Sequence, residues 1–434
     1  MKLNNIKWAS MIALAMMSTA FVSCEDEPDA YEGTDGIPTI HYIRPLEAAS
    51  KDSILTAASM ESTIVLVGEN LRSIKQIDFN DKTAILNTSY MTDHTLMVQI
   101  PSTIPGVVSD KMYMITTGND TIAYDFHVIV PAPSVASISC EYAKPGEEAT
   151  IMGNYFIDDP NVPLVVKFPD GTEIKNFISK SITSLIFEVP NCTVSGPIEV
   201  TSIYGTTKSK FYYADDRNIL FDFDGSHGGI EIGHGWRNGN VRNDDKSIDG
   251  GYLYFGGADM GGKIGATWAE DQFCMNYWSG DGAEALSDRK EMAQLLANYK
   301  IDQLQVKFEA CVPKSSPWSS AALQVMFTGD AQVTYSTGNN SYYGDTSLPR
   351  GLWMPWTASG SYDTGDKWVT VTMPLSNFNK THEGQACTTA LNPTLFTGLT
   401  LFVWHGGIEG TDCTPEIYID NFRVVPAELS LIHI

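Results

Sequence analysis

Short segments in which apolar and polar residues alternate run through most of the chain. In one of them Leu96, Val98 and Ile100 face one way and the residues between them face the other, which is the period-two pattern of a half-buried strand. One convincing helical stretch, at 287–299, has apolar residues spaced at i, i+3, i+4 and i+7. The pattern therefore predicts an all-β protein with one helix.

The strand pattern between residues 38 and 215 repeats within the chain. The residues Gly-Glu-Asn-Leu at 68–71 correspond to Gly-Asn-Tyr-Phe at 153–156, and Pro101 corresponds to Pro190. Both landmarks recur after roughly 85–90 residues, a period that indicates a duplicated domain. A duplication of this kind predicts two copies of the same fold in tandem.

Each copy, the first over residues 38–130 and the second over 131–215, has about seven short strands, which predicts a small immunoglobulin-like sandwich. The order P-x-I-x-x-I-x-P, I-x-L-x-G-x-N-L, I-x-F and L-x-V-x-I-P resembles the IPT/TIG domain. That resemblance implies a spacer or an interaction module and assigns no chemistry. The junction Val-Pro-Ala-Pro at 130–133 is expected to hold the two sandwiches at a restricted angle, as a semi-rigid stalk.

The composition changes in the last part of the chain, which we assign to one domain over residues 216–427. Every tryptophan after Trp8 lies there, glycine is dense, and long loops separate the strand segments. About 200 residues of this kind predict a larger β-sandwich of jelly-roll type. Because indoles are seldom clustered on a surface without a partner, this domain is expected to carry the function.

A platform of aromatic side chains is the expected surface for carbohydrate, because the C–H face of a pyranose stacks on an indole while its hydroxyls form hydrogen bonds. Trp353 and Trp356 lie beside glycine and proline, outside any alternating run, and are predicted to project from a loop. Tyr343 lies in a polar loop and is also predicted to be exposed. Trp318 and Trp236 are candidates that fit core packing equally well. The remaining tryptophans, Trp268, Trp278, Trp368 and Trp404, are predicted to pack in the core.

The net charge of the chain argues against nucleic acid as a partner. Lys and Arg number 28 against 52 Asp and Glu, a formal charge of −24 that repels nucleic acid.

The start of the chain indicates export. A positively charged start, an apolar run at 8–22 and then Cys24 are the arrangement of a bacterial lipoprotein signal, with residues 1–23 as the signal peptide. The alternative is a plain secretory signal. Residues 24–37 form an acidic tether that resembles the export signals of outward-facing Bacteroidetes lipoproteins. Cys24 is therefore the expected lipid anchor in the outer membrane.

The remaining cysteines are irregularly spaced and contain no C-x-x-C pair, so the sequence fixes no disulfide connectivity. An oxidising compartment permits disulfides, but buried free thiols are the favoured interpretation. The cysteines concerned are Cys140, Cys192, Cys274, Cys311, Cys387 and Cys413.

The whole mature chain resembles one known family of proteins. Segments such as "LFDFDG", "GLWMPW", "DKWVTVTMPLSNF" and "IYIDNFRVVP", after tandem IPT/TIG repeats and a lipoprotein signal, resemble surface glycan-binding proteins of Bacteroidetes polysaccharide-utilisation loci. The founding members of that type bind xyloglucan. The resemblance implies non-catalytic capture of a β-linked plant cell-wall polysaccharide, such as xyloglucan, mixed-linkage glucan or mannan, for a SusC/SusD-type uptake complex. The tail at 427–434 departs from the pattern.

Two further expectations concern cofactors and catalysis. Glycan binding is expected to need no cofactor, but Asp222, Asp224 and Asp420 form a candidate structural calcium site, because hard oxygen ligands suit that ion. The alternative is that these carboxylates cap turns or pair with Arg423. The histidines show no zinc-binding spacing. A jelly-roll glycoside hydrolase would need a pair of carboxylates, for which no E-x-D-x-x-E motif is present. That enzyme and a surface adhesin are the alternative functions.

Overall fold

The computed structural model describes residues 33–50, 52–160, 162–224, 240–266, 269–279, 283–330, 340–404 and 406–427. The chain forms two compact units, Met1–Pro131 and Ala132–Ile434. The regular secondary structure of the described part is mostly β-strand with one α-helix, which confirms the predicted all-β class. Within it, no helix is both long and apolar enough to cross a membrane.

The first unit contains an immunoglobulin-like sandwich, as the strand pattern predicts. Its strands are β1 (Thr39–Pro45), β2 (Ala57–Ser59), β3 (Thr63–Glu69), β4 (Ile74–Phe79), β5 (Lys82–Thr83), β6 (Thr95–Gln99), β7 (Lys111–Thr116), β8 (Thr121–Asp125) and β9 (His127–Ile129). One sheet has the order β1-β3-β6 and the other β5-β4-β7-β8, while β2 and β9 form a parallel pair. Leu66 and Phe79, from opposite sheets, lie in the shared core.

The second sandwich opens the second unit and repeats this plan. Its strands are β10 (Ser134–Ile138), β11 (Glu148–Asn154), β12 (Val165–Lys167), β13 (Glu173–Ile174), β14 (Ser179–Lys180), β15 (Ser184–Glu188), β16 (Gly196–Ser202) and β17 (Gly205–Tyr213). The sheets have the orders β10-β11-β15-β14 and β13-β12-β16-β17. A Cβ on Gly68 would lie 1.9 Å from the Thr39 carbonyl oxygen, and one on Gly153 would lie 1.9 Å from that of Ser134. Both copies therefore require glycine for the same close approach of backbone.

The C-terminal domain is a larger sandwich. Its elements are β18 (Ile219–Phe221), β19 (Val241–Arg242), β20 (Tyr252–Phe255), β21 (Cys274–Tyr277), α1 (Lys290–Asn298), β22 (Leu304–Cys311), β23 (Ala322–Thr328), β24 (Gly351–Trp353), β25 (Val369–Pro374), β26 (Gly398–Trp404) and β27 (Ile417–Pro426). One sheet has the order β19-β20-β27-β22-β25, with β18 also paired to β27, and the second has the order β21-β26-β23-β24. Helix α1 lies within the predicted helical stretch.

Ion pairs buried between the second sandwich and the C-terminal domain join them into one unit. Glu141 follows β10 and accepts hydrogen bonds from Lys307 of β22 at 2.5 Å and from Arg423 of β27 at 2.6 Å. Arg423 also makes a two-point contact with Glu309, at 2.7 and 3.1 Å. All four side chains are buried. The second sandwich is thus built into the domain that carries the tryptophans, an arrangement that the sequence did not indicate.

The six cysteines in the described part of the chain are all free thiols. Cys140, Cys192, Cys274 and Cys311 are buried, and Cys387 and Cys413 are half-buried. The favoured interpretation of buried free thiols is therefore confirmed for four of them.

Candidate functional site

The predicted aromatic platform is not an exposed loop surface. Trp318 is 0% exposed, Tyr343 is 2% exposed and Trp356 is 7% exposed, so none offers an open ring face. Trp353 is half-buried in β24 and faces the core, where its ring lies edge-on to Phe308 at 5.6 Å. The prediction that Trp353, Trp356 and Tyr343 project is therefore wrong, and Trp318 takes the core alternative. A buried indole N–H needs a hydrogen-bond acceptor. The Trp356 Nε1 donates to the Ala321 carbonyl oxygen at 2.7 Å, and the Trp318 Nε1 donates to the Ser320 carbonyl oxygen.

The other tryptophans have mixed outcomes. Trp236 and Trp268 lie outside the described residues. Trp278 is buried, as predicted. Trp368 is half-buried, and its ring packs against the second sandwich and against tyrosines of the first sheet. Trp404 ends β26 half-buried rather than in the core interior, and it belongs to the surface described next.

The outer face of the β21-β26-β23-β24 sheet carries polar and aromatic residues together. Successive strand residues point to opposite faces of a sheet. The residues in phase with Trp353 therefore face the other sheet of the sandwich, and the residues that alternate with them face outward. We call these outward positions the outer sheet face and define it by Asn276, Gln324, Thr400, Phe402 and Trp404. They occupy neighbouring positions on β21, β23 and β26, since Asn276 pairs with Thr400 and Gln324 pairs with Phe402.

Residues 340–350 form a roof over part of the outer sheet face. The Tyr343 ring stacks on Phe402 with centroids 4.5 Å apart, and its hydroxyl donates to the Asn276 Oδ1 at 3.0 Å. The Tyr342 hydroxyl lies 3.0 Å from that of Thr400. Arg350 is fully buried, and its Nη1 donates to the Gln324 Oε1 at 2.8 Å and to the Tyr343 carbonyl at 2.6 Å. Burial lowers the pKa of Arg350 to about 10, which still leaves it charged at neutral pH.

Three polar atoms close to this face are buried without a hydrogen-bond partner among the described residues. They are the Gln324 Nε2, the Thr328 Oγ1 and the His382 Nδ1. Burial, and then the neighbouring Arg350 charge, lowers the pKa of His382, which favours the neutral form of the ring. An unpaired buried polar group is unfavourable by about 1–3 kcal/mol. A bound ligand or water that pairs with these atoms would recover that free energy.

Trp404 lies where the outer sheet face meets solvent. Its ring packs against His382 with centroids 5.2 Å apart and the ring planes tilted by 38°, and a Cβ on Gly406 would lie 2.1 Å from the indole. Glycine at 406 therefore lets the backbone pass beside the ring. Asp345 and Glu383 are exposed near this rim. An aromatic ring beside amide, hydroxyl and imidazole groups is suited to a neutral ligand with many hydroxyls.

The candidate calcium ligands lie near one another but do not make a metal cradle. β18 pairs with β27, so Asp222, which directly follows β18, lies close along the chain to the partner strand of Asp420. Asp222 accepts a hydrogen bond from the Asp224 backbone N–H at 3.1 Å, which is the turn-capping alternative. Burial and the neighbouring Asp249 raise the pKa of Asp420 to about 11, which favours its neutral form. In the described ranges no group of three or more His, Cys, Asp or Glu side chains is arranged to hold a metal ion. A structural calcium ion thus stays a prediction.

Sequence patterns did not identify the polar residues of the outer sheet face or the two basic residues beside it, Arg350 and His382. A usable signal was present, because Asn276, Gln324 and Thr400 interrupt segments that are otherwise apolar. Each lies in phase with Phe402 or Trp404 once the strands are paired. Arg350 and His382 carry no such signal, because they lie outside the regular strands and only the fold brings them to this sheet.

Known proteins share sequence and fold with this chain. A family model described as the surface glycan-binding protein B xyloglucan-binding domain matches residues 213–426. The crystal structure of the surface glycan-binding protein PbSGBP-B from Prevotella bryantii is similar over 90% of this chain and 99% of that chain, with 39% identity and a TM-score of 0.80. An IPT/TIG domain-containing protein of Bacteroides ovatus is 33% identical over 166 residues. That match covers 37% of this chain and spans about a third of that relative's length, 33%.

Proposed function

This chain belongs to the surface glycan-binding protein B family, and from that premise we propose that it captures a neutral β-linked plant cell-wall polysaccharide without cleaving it. Glycan binding at the cell surface follows from the family. The identity of the glycan is our proposal, and xyloglucan is the first candidate because the matching family model is described by that ligand. Mixed-linkage glucan and mannan present similar stackable rings and are the next candidates.

The observation that carries the proposed site is the Trp404 ring at the edge of the outer sheet face, packed against His382 and two residues along its strand from Phe402, which pairs with Gln324. The Gln324 Nε2 is a donor, and the neutral His382 has a ring nitrogen without a partner among the described residues. A sugar ring stacked on Trp404 has hydroxyls that can donate to or accept from such groups. Arg350 and the tyrosine roof fix the orientation of Gln324, so the site is pre-organised.

The expected affinity is modest. A micromolar dissociation constant corresponds to about 8 kcal/mol, which is within reach of a few stacked rings and several hydrogen bonds. Weak, reversible binding suits a protein that hands its ligand on. A dense layer of anchored copies would add avidity for a long polysaccharide without any new contact.

We propose that Cys24 is acylated and anchors the chain in the outer membrane facing outward, and that the protein works beside a SusC/SusD-type uptake complex. Residues 1–32 lie outside the described part, and the support is the charged start, the apolar run and the acidic tether. In cells, Cys24→Ala should abolish lipid labelling and release the protein from the membrane fraction. Retention of the variant in that fraction would refute the anchor.

We propose that glycan binding needs no cofactor and that the protein has no hydrolase activity. Hydrolysis requires two carboxylates about 5–10 Å apart, one of them with a raised pKa that lets it act as the acid. Asp345 and Glu383 are the described carboxylates at the rim, and hydrogen bonds from Ser347 lower the pKa of Asp345 instead of raising it. Calcium, if bound near Asp222, Asp224 and Asp420, would be structural. A rise in the thermal midpoint on adding calcium, absent in Asp420→Asn, would establish that ion.

The deciding experiment is affinity electrophoresis of residues 25–434 in native gels that contain each plant glycan in turn. Retardation by one β-linked glycan, with no release of reducing ends, is expected. Trp404→Ala should weaken that retardation by at least tenfold, and Tyr299→Ala, an exposed aromatic elsewhere in the same domain, is the matched control. Unchanged mobility in every gel would favour the adhesin alternative, and release of sugar would favour the hydrolase.

A further inference from the structure

A groove of about 760 Å³ crosses one face of the first sandwich, far along the chain from the outer sheet face. Its floor is formed by Thr63 of β3 and by Met97 and Gln99 of β6, which are neighbours across the strand pair. Ile64 and Val98, the alternate residues of these strands, point into the core. The volume lies within the range of about 300–1,000 Å³ that is usual for pockets that bind small molecules.

One wall of the groove presents large exposed side chains. Tyr90 is 58% exposed and Ile85 is 91% exposed, and both line the same groove. Tyr90 is held by a short 3-10 helix, Thr88–Tyr90, in which the Asn87 side chain accepts a hydrogen bond from the Ser89 N–H at 3.0 Å. The tyrosine ring is thus an exposed aromatic on a backbone that is fixed by local hydrogen bonds.

The polar lining of the groove suits a neutral ligand. Hydroxyl and amide side chains dominate it, Glu61 is the one carboxylate, and none of the lining residues in this described segment is basic. The Gln99 Nε2 donates to the Glu61 carbonyl at 2.9 Å, which fixes the amide at the floor. An exposed ring above fixed amide and hydroxyl groups is the same chemistry that a pyranose requires.

We propose that this groove is a second glycan-binding subsite, which takes a segment of the same neutral polysaccharide and stacks a sugar ring on Tyr90. The inference rests on the proposed function, because it assumes that a β-linked glycan is the ligand. Two subsites on one chain would engage separate segments of one polymer and increase retention on it beyond that of either subsite. The first sandwich would then contribute to capture as well as to spacing.

The test uses residues 25–434 with Tyr90→Ala, and Tyr42→Ala is the matched control, because Tyr42 is an exposed tyrosine of the same sandwich that does not line the groove. In affinity gels with the retarding polysaccharide, Tyr90→Ala should lower retention several-fold while Tyr42→Ala behaves as wild type. Titration calorimetry with an oligosaccharide of that glycan should give two sites for wild type and one for Tyr90→Ala. The residual retention of Trp404→Ala should disappear in the double variant with Tyr90→Ala.

The outcomes separate this inference from the proposed function. Equal retention and stoichiometry for Tyr90→Ala and Tyr42→Ala would overturn the subsite and leave glycan capture at the outer sheet face intact. Full binding by Trp404→Ala with complete loss in Tyr90→Ala would support the groove and overturn the proposed site at the outer sheet face. Wild-type protein that no glycan retards would overturn both. Unchanged glycan binding with loss of the uptake complex from a Tyr90→Ala pull-down would assign the groove to a protein partner and overturn the subsite.

Discussion

The buried carboxylate of Glu141, in the second sandwich, contacts two cations of the C-terminal domain. Replacing Glu141 is therefore the sharpest test of how these two parts of the second unit are held together. Its carboxylate accepts from Lys307 at 2.5 Å and from Arg423 at 2.6 Å, and these cations are 3% and 0% exposed. In Glu141→Ala, Arg423 keeps its contact with Glu309, but both cations lose a charged acceptor that water cannot readily replace. Breaking a buried ion pair by removing one partner destabilises by about 3–5 kcal/mol.

The chain provides a matched control between the same two parts. Glu148 of the second sandwich pairs with Lys367 of the C-terminal domain at 3.3 Å, but these side chains are 54% and 63% exposed. An exposed pair contributes about 0–1 kcal/mol, so Glu148→Ala removes the same charge at little cost. The contrast between the two variants therefore isolates burial from charge.

Thermal unfolding followed by tryptophan fluorescence reports on unit 2, because every tryptophan after Trp8 lies in its C-terminal domain. At roughly 2 °C per kcal/mol, Glu141→Ala should lower the midpoint by about 6–10 °C and Glu148→Ala by less than about 2 °C. Equal midpoints for Glu141→Ala and Glu148→Ala would show that the buried network contributes no more than a surface pair, and the reasoning would be wrong.

Three other predictions concern the candidate site. Trp356→Ala should destabilise the C-terminal domain by about 3–5 kcal/mol, as measured by urea unfolding, because it removes a buried indole; a stable variant with weakened glycan binding would instead restore Trp356 to the binding surface. Because burial lowers the pKa of His382 in the folded state, stability should fall as the pH drops below about 6.5, and this fall should be smaller in His382→Gln. Identical pH profiles of the thermal midpoint for the two proteins would contradict that assignment. Chelation of divalent cations should leave retardation in affinity gels unchanged, and a chelator-sensitive affinity would show that glycan binding depends on a metal.

The fold was predictable because its signals are local and repeated. Strand alternation is visible within a few consecutive residues, and the recurrence of Gly68 as Gly153 is visible by comparing the two repeats. The structure explains why both positions are glycine, because a backbone carbonyl oxygen lies where a Cβ would be. Side-chain exposure was not predictable in the same way. Proline and glycine beside Trp356 indicate a loop, and a 3-10 helix is present there, Pro355–Ala358. Whether that loop presents its indole or buries it depends on a distant carbonyl at Ala321.

Trp404 shows the opposite error. It ends an apolar segment, and a core position was the natural expectation from sequence. Its phase in β26 matches that of Thr400 rather than that of Leu401, which places it on the outer sheet face. Only the pairing of β26 with β21 and β23 shows that polar residues share this face. The position of the candidate site is therefore set by strand register, which a single segment cannot reveal.

The free state of the cysteines has a practical consequence for how this protein matures. Because none of these six described thiols is bonded to another, no disulfide among them has to form for the chain to reach this fold. The fold is then indifferent to the redox potential of the compartment in which it forms. Production of residues 25–434 in a reducing bacterial cytoplasm should give the same fold as production in an oxidising compartment, and the presence of reductant should not change the refolding yield.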